Sequence, residues 1–201
     1  SQIKKSILFT KKINAKLYTF HPGFLTDPDG SNISNENYDF LWNKEKLLDK
    51  NYRASWQQMI MSLREIIKYS KFHKVPIAIE SEGSINAKDH LLMQRPNEYK
   101  KLFEIFKNNE IDINLNIGHL NLASKAFNFD KKKFINKISK HIVAMELSHN
   151  FGRNDDHLPI RKNSWYWKII KNSKYKNIPK ILEFRDTNIN TIKKTCKLLN
   201  K

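Results

Sequence analysis

The chain contains five short apolar runs, and each ends at a residue that can bind a metal ion or transfer a proton. The runs cover residues 17–20, 76–79, 111–115, 142–145 and 181–182, and the residues that follow them are His21, Glu80, Asn116 with His119, Glu146 and Glu183. Short apolar runs of this kind are typical of buried strands. Parallel strands bring their carboxyl ends to one edge, where α/β barrels place their chemistry. The pattern therefore predicts parallel strands whose polar ends converge on one site.

Segments with a helical period of apolar residues separate these runs. They cover residues 2–14, 53–74, 96–108, 131–140, 164–172 and 188–199. This alternation predicts an α/β fold made of right-handed βα units. Residues 23–51 and 149–162 are rich in polar and turn-forming residues, so we expect two loops, the first lying over the mouth of a barrel.

The length limits how much of a barrel the chain can form. Its 201 residues fit a single domain, 1–201, whereas a closed barrel has eight strands and about 250 residues. We therefore predict the C-terminal two-thirds of a barrel that lacks its N-terminal strands in this chain, with an open sheet as the alternative. Because missing strands leave apolar edges exposed, we expect that the chain is not a complete working enzyme.

The net charge of +17 allows three interpretations, which are solvated helix faces, a nucleic-acid surface and the steering of an anionic small substrate. Lysines neutralise phosphates, so a nucleic-acid surface is one of them. However, 31 of the 37 basic residues are Lys and only six are Arg, which is the better residue for bidentate phosphate or base contacts. The lysines are scattered among many Asn and Ile residues, which favours solvated helix faces and a compositional bias of the genome. A nucleic-acid partner is therefore the weaker expectation.

The cysteine count and the hydropathy of the sequence indicate the cellular compartment of the chain. Cys196 is the only cysteine, which excludes an internal disulfide and suits a reducing compartment. It lies on an apolar helix face, so we expect a buried, unreactive thiol. No apolar run approaches 18 residues and no signal-peptide pattern is present, so we expect a cytoplasmic chain with no membrane partner. The sequence leaves the oligomeric state open.

Two further features strengthen the expectation of a metal or acid–base site. Glu80 follows four residues of buried type, where an unpaired carboxylate is very costly and needs a cation. Asp155 and His157 have a spacing that lets both side chains reach one cation in an extended segment. Asn116 has an equally simple structural interpretation, which is that it caps the turn that follows it.

At these positions the sequence resembles the xylose isomerase-like barrel superfamily, which includes sugar-phosphate isomerases and epimerases and endonuclease IV. The resemblance extends from about Leu17 to Leu199. It rests on residues 21–23 (His-Pro-Gly), 79–80 (Ile-Glu), 115–119 (Leu-Asn-Ile-Gly-His, similar to a motif normally read Leu-Asp-x-x-His), 155–160 (Asp-x-His-x-x-Ile) and 181–183 (Ile-Leu-Glu). The order and spacing of these motifs carry more weight than any one of them.

The resemblance implies a divalent metal held by Glu80, Asn116, Glu146 and Glu183. Asn116 stands where the superfamily has Asp, and Glu146 stands where it has His. The formal charge of the set stays at −3, as in the superfamily, but every donor becomes oxygen. This change favours Mg²⁺ or Mn²⁺ over Zn²⁺. The alternative is that the site has decayed.

The leading functional expectation is a metal-dependent isomerase or epimerase of a sugar or sugar phosphate. By resemblance, Glu80 and Glu183 exchange a proton beside the substrate carbonyl through a metal-stabilised enediolate. His21, His119, Asp155 and His157 bind the substrate or a second cation.

Two rival expectations remain. The first is an abasic-site DNA nuclease resembling endonuclease IV, in which His21, His119, Asp155 and His157 bind zinc. The second is a degenerate barrel that binds a ligand without catalysis. Metal content separates the three interpretations, because about three zinc ions favour the nuclease, one Mn²⁺ or Mg²⁺ favours the isomerase and no metal favours the degenerate barrel.

Overall fold

The fold is organised by a sheet of parallel strands. The computed structural model describes residues 1–25, 30–31, 40–41, 49–107 and 110–200. The five strands of the main sheet are β1 (Tyr18–Phe20), β4 (Ile77–Glu80), β5 (Asp112–Asn116), β6 (Ile142–Leu147) and β7 (Lys180–Leu182). They pair in the order β1-β4-β5-β6-β7, and every pair is parallel. All five predicted strands are therefore confirmed, in a partial barrel rather than a closed eight-stranded one.

Helices connect the strands. They are α1 (Gln2–Lys12), α2 (Asp49–His73), α3 (Pro96–Ile105), α4 (Ile117–Ala126), α5 (Lys131–Ile138), α6 (Trp167–Ile170) and α7 (Ile189–Asn200). Short 3₁₀ turns lie at Lys88–His90 and Ser173–Tyr175, and β2 (Gly30–Ser31) pairs with β3 (Phe40–Leu41) as a separate antiparallel ladder. Most of the loop predicted for residues 23–51 lies outside the described residues. No described helix is long and apolar enough to span a bilayer.

The core lies between the sheet and the apolar faces of its helices. Strand residues such as Ile79, Ile113 and Met145 are fully buried against it. The helices contribute the apolar positions that the sequence pattern marked, including Leu63 of α2 and Leu102 of α3. This layered packing follows from βα repeats, since each crossover helix covers the sheet with one apolar face.

Helix α4 is absent from the pattern-based prediction. It begins directly after β5, and seven of its ten residues are buried. A helix that is buried on most sides has no polar face, so it lacks the 3.6-residue alternation that identifies an amphipathic helix. The helix predicted at 164–172 is also shorter than expected, since only α6 (Trp167–Ile170) is helical there.

The prediction that Cys196 is buried is wrong. Its thiol is exposed, as is Ile189 on the same helix, whereas Thr195 is the buried residue of α7. Helix α7 follows β7, which is the edge strand of the sheet. The apolar face of α7 therefore packs against less of the core than the sequence pattern suggests.

Gly83 permits a close approach between the loop after β4 and the start of α4. A Cβ atom built on Gly83 lies 1.9 Å from the backbone oxygen of His119. No side-chain rotation relieves a clash with backbone, so only glycine fits here without moving α4.

We predict that Gly83→Ala destabilises the protein by about 1–3 kcal/mol, because the backbone of α4 must shift to admit the methyl group. Asn86→Ala, an exposed change in the same loop, is the control and should stay within about 0.5 kcal/mol of the parent. Urea unfolding measures both. Equal stabilities for the two variants would contradict the close packing of Gly83.

Candidate functional site

Strand register brings the polar ends of four strands together. Asn116 pairs with Glu146 across β5 and β6, and Glu80 pairs with Asn114 across β4 and β5. The backbone N–H of Glu183 donates to the carbonyl oxygen of Leu147, which fixes Glu183 just beyond β7. The carboxyl ends of β4 to β7 therefore place three glutamates at one edge, as the strand pattern predicts.

Asn116 lies at the centre of these carboxylates. Its Nδ2 is 2.9 Å from Glu80 Oε1, 3.2 Å from Glu146 Oε2 and 3.1 Å from Glu183 Oε2. Its Oδ1 accepts the backbone N–H of His119 at 3.0 Å and so caps α4. The cap fixes the orientation of the amide, since a reversed amide would place NH₂ against N–H. Asn116 therefore presents its nitrogen, and not its oxygen, to the glutamates.

Asn114 is a second amide in the site, and the sequence analysis missed it. It is fully buried, and its Nδ2 donates to Glu146 Oε1 at 2.7 Å. Asn114 and Asn116 thus hold the two oxygens of Glu146 between them. The two-residue period of a strand could have identified it, because this period puts Asn114 on the same side of β5 as Asn116.

Glu82 is a second carboxylate, in the loop two residues beyond β4, and the sequence analysis did not single it out. It is buried, and its Oε1 lies 2.6 Å from His21 Nδ1 in a hydrogen bond. The same histidine lies 3.6 Å from Glu80 Oε2 through Nε2. His21 therefore links the end of β1 to both glutamates of the neighbouring strand.

His119, Asp155 and His157 form a compact group beside the glutamates. Asp155 Oδ2 lies 2.7 Å from His157 Nε2 and 3.3 Å from His119 Nε2. The other ring nitrogens connect the group to the glutamates, because His119 Nδ1 is 3.1 Å from Glu80 Oε1 and His157 Nδ1 is 3.4 Å from Glu183 Oε2. His157 has a positive φ of 46°, which bends the loop so that its ring faces the site. The loop predicted at 149–162 thus contributes two side chains to the cluster.

The ionisation of this network follows from burial and pairing. The hydrogen bond to Glu82 raises the pKa of His21 to about 9, against the opposing effect of burial. Burial lowers the pKa of His157, but hydrogen bonds to Asp155 and Glu183 outweigh it and raise the pKa to about 9. Burial acts on His119 in the same direction, and hydrogen bonds to Asp155 and Glu80 again outweigh it, so its pKa lies well above the usual range. All three rings therefore favour the charged form near neutral pH.

The pKa values of Glu80 and Glu146 are shifted in opposite directions. Burial raises the pKa of Glu80, but the hydrogen bond and charge of His119 outweigh it and lower the pKa to about 2. Burial and the neighbouring charge of Glu80 raise the pKa of Glu146 to about 7. Glu146 has no imidazole partner among its described contacts, so protonation of Glu146 relieves its repulsion with the neighbouring carboxylates. At Glu80, pairing with His119 has the same effect.

The donor set fits divalent cations. One ligand atom each from His119, Asp155 and His157 lies within 4.8 Å of the other two, which is the spacing of a metal site. Asp155 Oδ1 is also buried without a hydrogen-bond partner among the described residues. The imidazoles suit Zn²⁺, whereas the oxygens of Glu80, Glu146 and Glu183 suit Mg²⁺ or Mn²⁺. Ligation by Asn116 stays a prediction, and its amide would have to turn and give up the α4 cap.

The eight residues singled out from the sequence lie together. His21, Glu80, Asn116, His119, Glu146, Asp155, His157 and Glu183 form one connected network of contacts. Their chemical roles stay predictions, as does the division of the glutamates into catalytic and metal-binding residues.

We predict that the chelator-treated protein loses stability as pH rises from about 6.5 to 9. A histidine whose pKa is raised on folding contributes fully below its unfolded value of about 6.5, and the contribution is lost through its folded value of about 9. His157→Asn, which tolerates the positive φ, should reduce this pH dependence by several degrees of melting temperature. His73→Asn, outside the network, is the control. An unchanged pH dependence in His157→Asn would refute the assignment.

The fold is shared with solved structures of low sequence identity. A D-tagatose 3-epimerase-like protein has a TM-score of 0.71 at 19% identity, covering 98% of this chain and 65% of its own. The 3-keto-D-glucoside 4-epimerase of E. coli has a TM-score of 0.65 at 8% identity, covering 99% of this chain and 69% of its own. A Thermus thermophilus protein soaked with ZnCl₂ has a TM-score of 0.63 at 12% identity, covering 98% of this chain and 66% of its own. The chain thus spans slightly less than two thirds of the first of these structures.

A search of curated proteins found no match. The model of the xylose isomerase-like TIM barrel family, in contrast, matches residues 1–201, the whole of this sequence. The match agrees with the parallel order of the five strands and with the motifs at their ends. The chain belongs to the xylose isomerase-like TIM barrel family.

Proposed function

We propose that the site belongs to an isomerase or epimerase of a sugar or sugar phosphate that uses a divalent cation. The observation that carries the proposal is the placement of Glu80 and Glu183, whose oxygens contact the same Asn116 nitrogen at 2.9 and 3.1 Å. Two carboxylates this close can flank a single substrate carbon. The fold shared with an epimerase and an epimerase-like protein supports the same reaction class.

The two glutamates divide the proton transfer. One carboxylate accepts the proton from the carbon beside the substrate carbonyl, and the other glutamate returns a proton to that carbon or its neighbour. Glu183 is the more accessible of the two, with its side chain 41% exposed against 7% for Glu80. Glu183 is therefore assigned to the face that the substrate enters, and Glu80 to the interior face.

The histidines orient the glutamates and the substrate. His119 and His21 hold Glu80 from two directions, while His157 holds Glu183. His21 is the most exposed of the three rings, with 57% of its side chain accessible, and its Nε2 is the ring donor nearest the glutamates that can reach a substrate oxygen. A divalent cation held by Glu80, Glu146 and Glu183 would polarise the carbonyl and make the adjacent C–H bond more acidic.

We predict that Glu183→Gln lowers turnover by at least about 100-fold without unfolding the protein, because the amide cannot accept the proton. Deuterium incorporation from D₂O is followed by NMR for D-tagatose, L-ribulose and a 3-ketoglucoside, each with Mn²⁺ or Mg²⁺. Glu104→Gln, an exposed change on α3, is the matched control and should keep the parent rate.

Two results would contradict these assignments. Parent-level exchange that persists in Glu183→Gln would remove Glu183 from the mechanism. A parent protein that exchanges no proton with any of the keto sugars in the presence of metal would reject isomerase activity for this chain.

A second candidate is an abasic-site nuclease, favoured by the His119, Asp155 and His157 group. Imidazole and carboxylate donors at this spacing suit Zn²⁺, which can activate a water against a phosphodiester. The Thermus thermophilus structure soaked with ZnCl₂ shares the fold.

We predict that Asp155→Asn lowers zinc affinity at least about ten-fold, since it weakens a charged ligand between two imidazoles. Asp156→Asn is the adjacent control and should bind zinc as the parent does. Zinc content is measured after dialysis, and cleavage is assayed on an oligonucleotide with one abasic site. Zinc-dependent cleavage without sugar exchange would replace the isomerase proposal, whereas equal zinc binding by both variants would reject this metal group.

A further inference from the structure

Positive charge is concentrated in the second half of the chain. Residues 113–201 contain 19 Lys and Arg but only six Asp and Glu, whereas residues 1–112 contain 18 and 14. Three of those six acids, Glu146, Asp155 and Glu183, belong to the site at the strand ends. A compositional bias toward lysine would enrich both halves alike, so it does not account for the shortage of acids in the second.

Two cavities lie on the helical layer of this half. The first, of about 560 Å³, is lined at the junction of α4 and α5 by Lys125, Lys131 and Lys132. The second, of about 370 Å³, lies between α5 and α6 and is lined by Lys132, Lys168 and Lys174. Trp165 and Lys132 line both cavities, so the two form one continuous surface, which we call the lysine groove.

The groove runs along the side of the barrel, and none of its lining residues belongs to the glutamate site. At one end, Lys125 donates to the backbone oxygen of Phe151, in the loop after β6. At the other end, Lys174 donates to Ser139, which lies shortly before β6 in the chain. The groove therefore follows β6, whose six residues span about 20 Å.

The groove lysines lack carboxylate partners. Lys125, Lys131 and Lys174 donate to neutral oxygens, and within the described part of the chain none of the five groove lysines forms an ion pair. On other helices, Lys4, Lys71 and Lys100 each pair with a glutamate. Asp130 is the one acid that lines the groove, and it caps α5 by accepting the backbone N–H of Lys133. The groove thus presents five cations and a single carboxylate.

Trp165 adds an aromatic surface in the middle of the row. Lys131 Nζ lies 4.5 Å from the centre of its ring on the side of the first cavity. The indole also lines the second cavity, together with Lys168 and Lys174. Cations spaced around an aromatic ring match a strand of nucleotides, in which planar bases alternate with phosphates.

We propose that the lysine groove binds single-stranded nucleic acid, with one base stacked on Trp165 and the flanking phosphates held by Lys132 and Lys168. An acidic polypeptide would satisfy the lysines, but it offers a planar ring only at an aromatic residue, whereas every nucleotide carries a base that can stack on Trp165. The groove is built from residues outside the glutamate site, so its binding does not depend on the isomerase proposal.

The test measures binding of fluorescein-labelled oligo-dT of about ten nucleotides by anisotropy, in chelator, at about 50 and 200 mM salt. Lys132→Glu with Lys168→Glu changes two exposed groove residues, and Lys68→Glu with Lys101→Glu is the control with the same change in net charge on α2 and α3. The groove pair should weaken binding at least about ten-fold more than the control pair. It should also reduce the slope of log K against log salt by about 1.4, as expected for two lost phosphate contacts.

Trp165→Leu tests stacking separately from charge. It should weaken oligo-dT binding by about ten-fold or more while leaving the salt slope unchanged. Equal losses in the groove and control pairs would overturn the proposal, because binding would then follow total charge alone. Polyglutamate or anionic vesicles that compete as well as the oligonucleotide, or a parent protein that does not bind it, would also overturn it.

Discussion

The site depends on the hydrogen bonds made by the side-chain amide of Asn116. Its oxygen caps α4 and its nitrogen contacts carboxylates from three other strand ends. Each contact restricts the others, because the cap sets which end of the amide faces the glutamates. One neutral side chain therefore joins the start of a helix to the convergence of β4, β6 and β7.

Pairing offsets most of the charges of the site. Four glutamates and an aspartate lie near three histidines, and the rings are charged because the carboxylates surround them. Glu146 is the exception, since amides of Asn114 and Asn116 hold it instead of an imidazole. A carboxylate held only by neutral donors, among other carboxylates, is the position in the cluster where an added cation relieves the most repulsion.

The replacement of the superfamily's Asp and His by Asn116 and Glu146 thus has a structural consequence. The two substitutions face each other across β5 and β6 in register. The amide that replaces an acid donates to the acid that replaces an imidazole, so the pair is complementary even though neither residue matches the motif. The hydrogen bond satisfies two buried polar side chains at the centre of the site, as burial requires.

The sequence by itself determined the five strands, their order along the chain and the identity of the polar residues at their ends. Apolar runs and βα alternation were sufficient to predict these features, because a buried strand contains few polar side chains before its carboxyl end. Only the tertiary structure decided how these ends meet. An extra residue in β6 shifts the register after Ile113, so Glu146 rather than Met145 lies opposite Asn116. The same holds for α4, whose buried surroundings hid its period, for Glu82, which folds back onto His21, and for Cys196, which edge packing leaves in solvent. These features arise from contacts between residues far apart in sequence, and a local pattern contains no information about them.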